Sequence, residues 1–255
     1  MNTELKNQVA LVTGSSSGIG RAVAVAFAQE NAKVAITYKS NAKEAEITAD
    51  MVRSAGGEAF IVRYDLNDEE SIKSAISAVA SHWGTIHILV NNAVQWASRG
   101  EATGASLFED TPSDQWKTMI RSSVEGAYYT IQQVVPYMRK NHWGRIINVS
   151  STLAEDGLSG SGSYSAAKAA LHGLSRSMAV ELGRVGIHTN VVMPGMTLTE
   201  RAEQVIPKGI RQQVEDQTPT GRLSKPEDVA SLIVYLGSNA NGHVNGEIIR
   251  VSGGL

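Results

Sequence analysis

The sequence predicts an α/β fold, a single doubly wound parallel sheet of about seven strands with helices on both faces. Short apolar, β-branched runs alternate with longer segments of helical period along all 255 residues, the pattern of a sheet built with helical crossovers. The runs are nearly continuous in apolar residues, as in Val9-Ala10-Leu11-Val12, which marks strands covered on both faces. No repeat, low-complexity tract or linker interrupts the alternation, so residues 1–255 read as one domain.

The first strand is expected over residues 9–13, followed by a Gly/Ser turn and a helix over 18–30 that stops at Asn31. A strand over 33–38 and a helix over 42–55 come next, closed by Gly56-Gly57. Residues 58–64 and 68–82 repeat the unit, with Gly84 as the stop. After a strand over 86–91, residues 95–112 form a long loop and 113–140 a long helix. The remaining strands are placed at 145–150, 188–193 and 248–251, and the remaining helices at 164–183 and 225–237. Residues 196–221 are polar with scattered apolar positions and read as one or two short helices. The 95–112 and 196–221 segments both follow strand C-terminal ends, where open α/β sheets take ligands. They are expected to form a substrate wall or lid, with a plain surface insertion as the alternative.

Composition narrows the function. With 42% hydrophobic and 19% charged residues, the chain can bury a sizeable core. A formal net charge of −2 lacks the basic surplus that binds nucleic acid or anionic membranes, so a small-molecule partner is expected. The absence of cysteine excludes disulfides and thiol chemistry and agrees with a reducing cytoplasm, the expected location. No cationic-then-apolar leader opens the chain and no segment is long and apolar enough to span a bilayer. The six histidines form neither His-x-x-x-His nor His-Glu-x-x-His, so no metal site is expected.

Directly after the first strand, Gly14, Ser16, Ser17, Gly18, Ile19 and Gly20 form a turn that opens into a helix. Glycines permit a tight turn and close ligand approach, and free N–H groups at a helix start favour an anion such as a pyrophosphate. The spacing G-x-x-x-G-x-G lacks the following Lys-Ser/Thr of a nucleotide triphosphatase loop. At the end of the second strand, an acidic residue would bind the ribose hydroxyl of NAD, but Tyr38, Lys39 and Ser40 stand there. Lysine and serine suit a 2′-phosphate, so NADP(H) is the expected cofactor, with NAD(H) as the alternative. Asp65, after the third strand, is placed to accept from the adenine amino group, or to start the following helix.

Ser151, Tyr164 and Lys168 make the chemical core. If residues after 163 are helical, Tyr164 and Lys168 lie one turn apart on one face. An ammonium beside a phenol lowers the phenol pKa towards that of a working acid/base for an alcohol or carbonyl oxygen. Ser151, on a preceding loop, is placed to hold that oxygen. Alone, such a pair is most often a surface coincidence.

Together these residues resemble the short-chain dehydrogenase/reductase family over essentially the whole chain. The resemblance rests on residues 13–20, Asp65-Leu66, Asn91-Asn92-Ala93, Ser151 with Tyr164 and Lys168, and Pro194-Gly195-Met196-Thr197-Leu198-Thr199. It also rests on Gly221-Arg222-Leu223, Pro226-Glu227-Asp228-Val229-Ala230 and the closing Val251-Ser252-Gly253-Gly254. It implies a Rossmann-like fold and hydride transfer between a nicotinamide cofactor and a ketone, aldehyde or 3-oxoacyl thioester, or the reverse. By position it makes Tyr164 the proton donor or acceptor, and Lys168 the group that lowers its pKa and binds the nicotinamide ribose. Ser151 would orient the substrate oxygen. Leu66, Asn92 and Ala93 would line the cofactor, and Pro194, Gly195, Thr197 and Thr199 would hold the carboxamide. It further implies a homo-oligomer, a tetramer or dimer, through the helices over 113–140 and 164–183.

Three positions depart from the family pattern. Counting from Trp116, Ser123 occupies the place of a catalytic asparagine, and it would act by holding a water in a proton relay to Lys168. Val94 replaces a glycine beside the cofactor, and Ser252 replaces an aspartate near the C-terminus. Ser123 and Val94 motivate an alternative reading, a catalytically weak NADP-binding sensor or assembly protein on the same fold. Against a serine hydrolase, no histidine is placed in the sequence to complete a triad. The substrate wall would draw on Trp96, Leu153, Leu158, Met196 and Leu198. Arg99, Arg201, Lys208 and Arg211 would steer an anionic substrate, or would simply be solvated.

Overall fold

The computed structural model describes residues 2–95 and 108–255. Trp96 and Arg99 lie outside the described residues, as does most of the 95–112 loop. All the expected strands form within two residues of their expected ends: β1 Val9–Val12, β2 Lys33–Tyr38, β3 Glu58–Arg63, β4 Ile88–Asn91, β5 Gly144–Val149, β6 Ile187–Pro194 and β7 Ile248–Val251. They form a wholly parallel sheet in the order β3-β2-β1-β4-β5-β6-β7. The order reverses between β1 and β4, which opens a crevice at their C-terminal ends.

Side-chain alternation along each strand sorts the core into two layers. Ala10, Val12, Val34, Ile36, Ile88, Val90, Ile147 and Val149 face one side. There they meet α1 (Gly18–Gln29), α2 (Ala42–Ser54) and α10 (Pro226–Gly237) through residues such as Phe27, Val52 and Ile233. Val9, Leu11, Ala35, Leu89 and Ile146 face the other. That side is covered by α3 (Glu69–Trp83), α5 (Gly126–Asn141) and α7 (Gly162–Leu182), through Ile76, Val134 and Leu182 among others. Each fully buried aliphatic or aromatic side chain contributes roughly 1.5–3 kcal/mol, so both layers are needed. None of the described helices is long and apolar enough to cross a membrane.

Local signals explain the helix ends. The Asp68 carboxylate accepts from Glu70 N at 3.0 Å and Ser71 N at 3.2 Å, which caps α3 and leaves Asp65 outside that role. Gly84 closes α3 with φ +84°, a conformation that favours glycine.

The expected long helix over 113–140 forms and carries a π turn within it. α4 (Ser113–Ile120) passes into a π turn over Arg121–Glu125 before α5 begins. Two local causes stand at this turn. Ser122 Oγ donates to Met119 O at 3.2 Å, competing for a helix carbonyl. Gly126 lies so close to Leu66 that a Cβ would sit 2.5 Å from its carbonyl oxygen. A short helix, α6 (Leu153–Asp156), follows Ser151, and the lid segment contains two short helices, α8 (Glu200–Val205) and α9 (Lys208–Gln217).

Candidate active site

The turn after β1 is built by hydrogen bonds among its neighbours. Ser15 Oγ donates to Val12 O at 2.8 Å and accepts from Thr37 N at 2.9 Å, while Gly14 N donates to Thr37 Oγ1 at 2.8 Å. Thr13 Oγ1 accepts from both Asn92 N (2.9 Å) and Ala93 N (3.0 Å), so the loops after β1 and β4 meet at the crevice. Asn92 Nδ2 closes the joint on Thr13 O at 2.9 Å. Gly20 is fixed by space: a Cβ there would lie 2.4 Å from Gly14 O and 2.6 Å from Asn92 Nδ2. Ser17, the residue before α1, makes no side-chain cap, and the first turn of α1 carries no acid. Its N–H groups and positive dipole end are thus left for an anion, and the residues present fit a dinucleotide pyrophosphate. Val94 does not adopt a positive φ, so the loss of glycine there costs no backbone strain.

At the C-terminal ends of β2 and β3 the structure joins residues expected to act apart. Lys39 Nζ lies 3.1 Å from Asp65 Oδ1 and donates to Gln95 Oε1 at 3.1 Å, and Asn67 Nδ2 donates to the same Gln95 oxygen at 3.2 Å. Lys39 and Ser40 are exposed, Tyr38 is half-buried and Leu66 is buried against the α3 layer.

Ser151, Tyr164 and Lys168 come together as the spacing predicts. Tyr164 and Lys168 lie one turn apart on α7, with the Lys168 ammonium 5.8 Å from the phenol ring centroid. The Tyr164 hydroxyl shares a hydrogen bond with Ser151. Burial pushes the phenol above its ordinary pKa, with the Ser151 bond opposing. The expected lowering by Lys168 does not set the direction, because the tyrosine is largely enclosed and burial of its charged form dominates. Burial also lowers Lys168 to about 8, and its Nζ donates to Val149 O at 2.8 Å. Ser151 Oγ additionally accepts from Leu153 N at 3.3 Å, which seats α6 beside it.

The 194–199 segment runs beside this set. Thr199 Oγ1 accepts from Ala202 N at 3.1 Å and caps α8, while its methyl group approaches Gly18, where a Cβ would lie 3.3 Å away. Gly195 faces Ser252, whose Cβ would be 2.9 Å from one added at Gly195, so the C-terminal turn packs beneath the segment. Ser123 is buried within the π turn. Its hydroxyl is 3.7 Å from Met119 Sδ and is not directed to Lys168, whose ammonium is bonded to Val149.

Some supporting residues carry no motif. Ser150 Oγ lies 2.8 Å from His172 Nε2 and donates to Lys168 O at 3.1 Å, tying the residue after β5 to α7. Asn91 Nδ2 donates to Asn148 Oδ1 at 2.9 Å, and Asn148 Nδ2 to Ser175 Oγ at 2.8 Å, a buried path from β4 to α7. The i, i+4, i+8 spacing of Tyr164, Lys168 and His172 was the one available signal for the histidine. Arg21 joins Ser16 O, Glu44 and, at 3.1 Å, Glu200, connecting the turn after β1 to α8.

Comparison with known proteins places these features in context. Residues 14–255 match a family model described as Enoyl-(Acyl carrier protein) reductase. A 3-oxoacyl-[acyl-carrier-protein] reductase FabG of Aquifex aeolicus is 34% identical over 255 residues, covering 100% of both chains. One from Staphylococcus aureus is 31% identical over 246 residues, 96% of this chain and 97% of that protein. Among solved structures, a 7α-hydroxysteroid dehydrogenase complexed with NADH and 7-oxo glycochenodeoxycholic acid superposes with a TM-score of 0.91. It is 34% identical, covering 99% of this chain and 96% of the other.

Proposed function

The chain belongs to the short-chain dehydrogenase/reductase family of oxidoreductases, and from that premise we propose that it is an NADP(H)-dependent carbonyl reductase, with NAD(H) as the alternative cofactor. The observation that carries the reading is the Ser151–Tyr164 hydrogen bond beside the buried Lys168, just after the C-terminal end of β5 and two strands from the glycine turn after β1. A binding protein has no need of this proton-transfer set.

A bound nicotinamide cofactor would supply the hydride. Ser151 and Tyr164 converge to hold one oxygen of a small ketone, aldehyde or 3-oxoacyl thioester. A phenol pushed upward by burial keeps its proton at neutral pH, the state that reduction requires of an acid. As the carbonyl oxygen gains charge, Tyr164 gives up that proton, and the nearby Lys168 ammonium favours the phenolate left behind. Gly14, Ser16, Ser17, Gly18, Ile19 and Gly20 hold the pyrophosphate, and Asp65, Leu66, Asn92 and Ala93 line the adenine and its approach. Pro194, Gly195, Thr197 and Thr199 hold the carboxamide. Lys39 and Ser40 support NADP(H), although a 2′-phosphate must compete with Asp65 for Lys39. Ser123 serves Lys168 through water rather than directly. Assembly as a dimer or tetramer through α5 and α7 is supported by Tyr128 and Val180, which are 55% and 84% exposed.

A panel of ketones, aldehydes and 3-oxoacyl thioesters, assayed with NADPH and NADH side by side, tests both activity and cofactor choice. NADPH oxidation with at least one class is expected. Tight NADPH binding without turnover on any of them would instead assign the chain to the sensor reading.

A further inference from the structure

Basic side chains from the lid and from the chain just after it line one groove. A cavity of about 220 Å³ opens between α9 and the chain at 222–225, with Lys208 and Arg211 on one side and Arg222 and Lys225 on the other. Leu198 and Leu223 add apolar surface, and Gln212 and Glu215 complete the lining. Arg222 is already committed, donating to both Asp228 oxygens at 2.6 and 2.9 Å. Lys208, Arg211 and Lys225 form no ion pair within 4.0 Å among the described residues. Arg211 Nε is buried with no hydrogen-bond partner. Glu215 is the single carboxylate lining the cavity, so positive charge is left in excess beside apolar walls, where it is worst solvated.

The groove adjoins the 194–199 segment, which follows β6. Thr197 and Ser224 form a parallel bridge, Leu198 N donates to Ser224 O at 2.8 Å, and Ser224 N to Met196 O at 3.2 Å. The 222–225 chain therefore runs directly beside the 194–199 segment, and Leu198 belongs to both. The start of α9 compounds the imbalance, since its first turn carries no acid while Lys208 and Arg211 place cations near its positive dipole end.

We propose that this groove receives the anionic end, a carboxylate or phosphate, of a substrate whose carbonyl lies at Ser151 and Tyr164. The substrate class is thus a carbonyl compound with a distal anion. The inference rests on the reductase reading for the reacting end and on the groove for the other.

Two measurements keep the readings separable. Hexanoate, hexanamide and inorganic phosphate are titrated by calorimetry into the NADPH-bound protein. Hexanoate or phosphate should bind, with affinity falling by about tenfold or more in Arg211→Gln with Lys208→Gln, and less in Arg211→Lys. Whichever of the two anions loses more identifies the preferred head group, and hexanamide should be indifferent to the substitutions. In turnover, the ratio of kcat/KM for a cyclic keto acid over its methyl ester should fall by about tenfold in Arg211→Gln, and should fall with added salt in the unaltered protein. Failure of both anions to bind, equal binding after substitution, or an unchanged acid-to-ester ratio overturns the groove while leaving the reductase reading intact. Anion binding that depends on Arg211, without NADPH oxidation, supports the groove and removes the reductase reading.

Discussion

Lys39 Nζ lies 3.1 Å from Asp65 Oδ1, so the cation suited to a 2′-phosphate is held by the carboxylate suited to adenine. Asp65 therefore tempers the charge that Lys39 offers. Asp65→Asn should release Lys39 and raise the preference for NADPH over NADH, whereas Lys39→Ala should lower it by about tenfold. KM values for both cofactors with a single substrate decide the matter. An unchanged ratio in both variants would remove Lys39 from cofactor choice.

Tyr164→Phe deletes the acid and keeps the ring. Loss of a positioned proton donor costs about 10²–10⁴ in rate, and kcat should fall within that range. NADPH affinity, measured by fluorescence titration, should stay nearly the same. Comparable turnover in the variant would exclude Tyr164 as the acid.

Stability should carry the signature of Lys168. Its pKa is lowered by burial from 10.5 to about 8, so between those values the unfolded chain binds more protons than the folded one. Stability therefore rises as pH increases through this window, by about 2 kcal/mol between about pH 7.5 and 9.5. Tyr164 acts in the opposite sense only above its ordinary pKa of 10.0, where the unfolded chain ionises first. Urea unfolding of the cofactor-free protein at the two pH values should show the rise, and Lys168→Met should flatten it.

Ser123 offers a hydroxyl where the family pattern has an amide, and that hydroxyl points to Met119 sulfur. If water links it to Lys168, Ser123→Ala should lower kcat by up to about tenfold with little change in KM. The solvent deuterium isotope effect on kcat should change with it. Identical kcat and isotope effect would take Ser123 out of the reaction.

Val180, 84% exposed on α7, lies on a helix through which the proposed dimer or tetramer would form. Val180→Asp should shift the protein to a smaller assembly by light scattering, through burial of an unpaired charge. An unaltered mass would show that α7 is not a subunit contact.

What could be read from the sequence was what is local. The phosphate turn follows from glycine and helix-end chemistry within residues 13–20, and Tyr164 with Lys168 follows from one helical turn. β1 to β7 were legible because each is a short apolar run bounded by turn residues. The Lys39–Asp65 pair, the Ser150–His172 contact and the Arg21–Glu200 bridge join residues distant in sequence, and no periodicity reports them. The π turn within the 113–140 helix was hidden for a different reason: its residues have good helical pattern on both sides, and the widened turn depends on Gly126 meeting Leu66. Likewise Lys208 and Arg211 read as scattered charges, and nothing in the sequence sets them beside Lys225 across one groove.

The π turn over Arg121–Glu125 has a consequence for chain length. Such a turn is an α-helix carrying one residue too many, with the surplus absorbed locally. Loss of one residue within it can heal into continuous helix with α4 and α5 still presenting their present faces. Loss of one residue elsewhere in either helix turns the residues beyond it by about 100°. Relatives that differ in length by one residue here should therefore keep Trp116 and Gly126 in phase, and the inward direction of Ser122 and Ser123 depends on residue number more than on residue type.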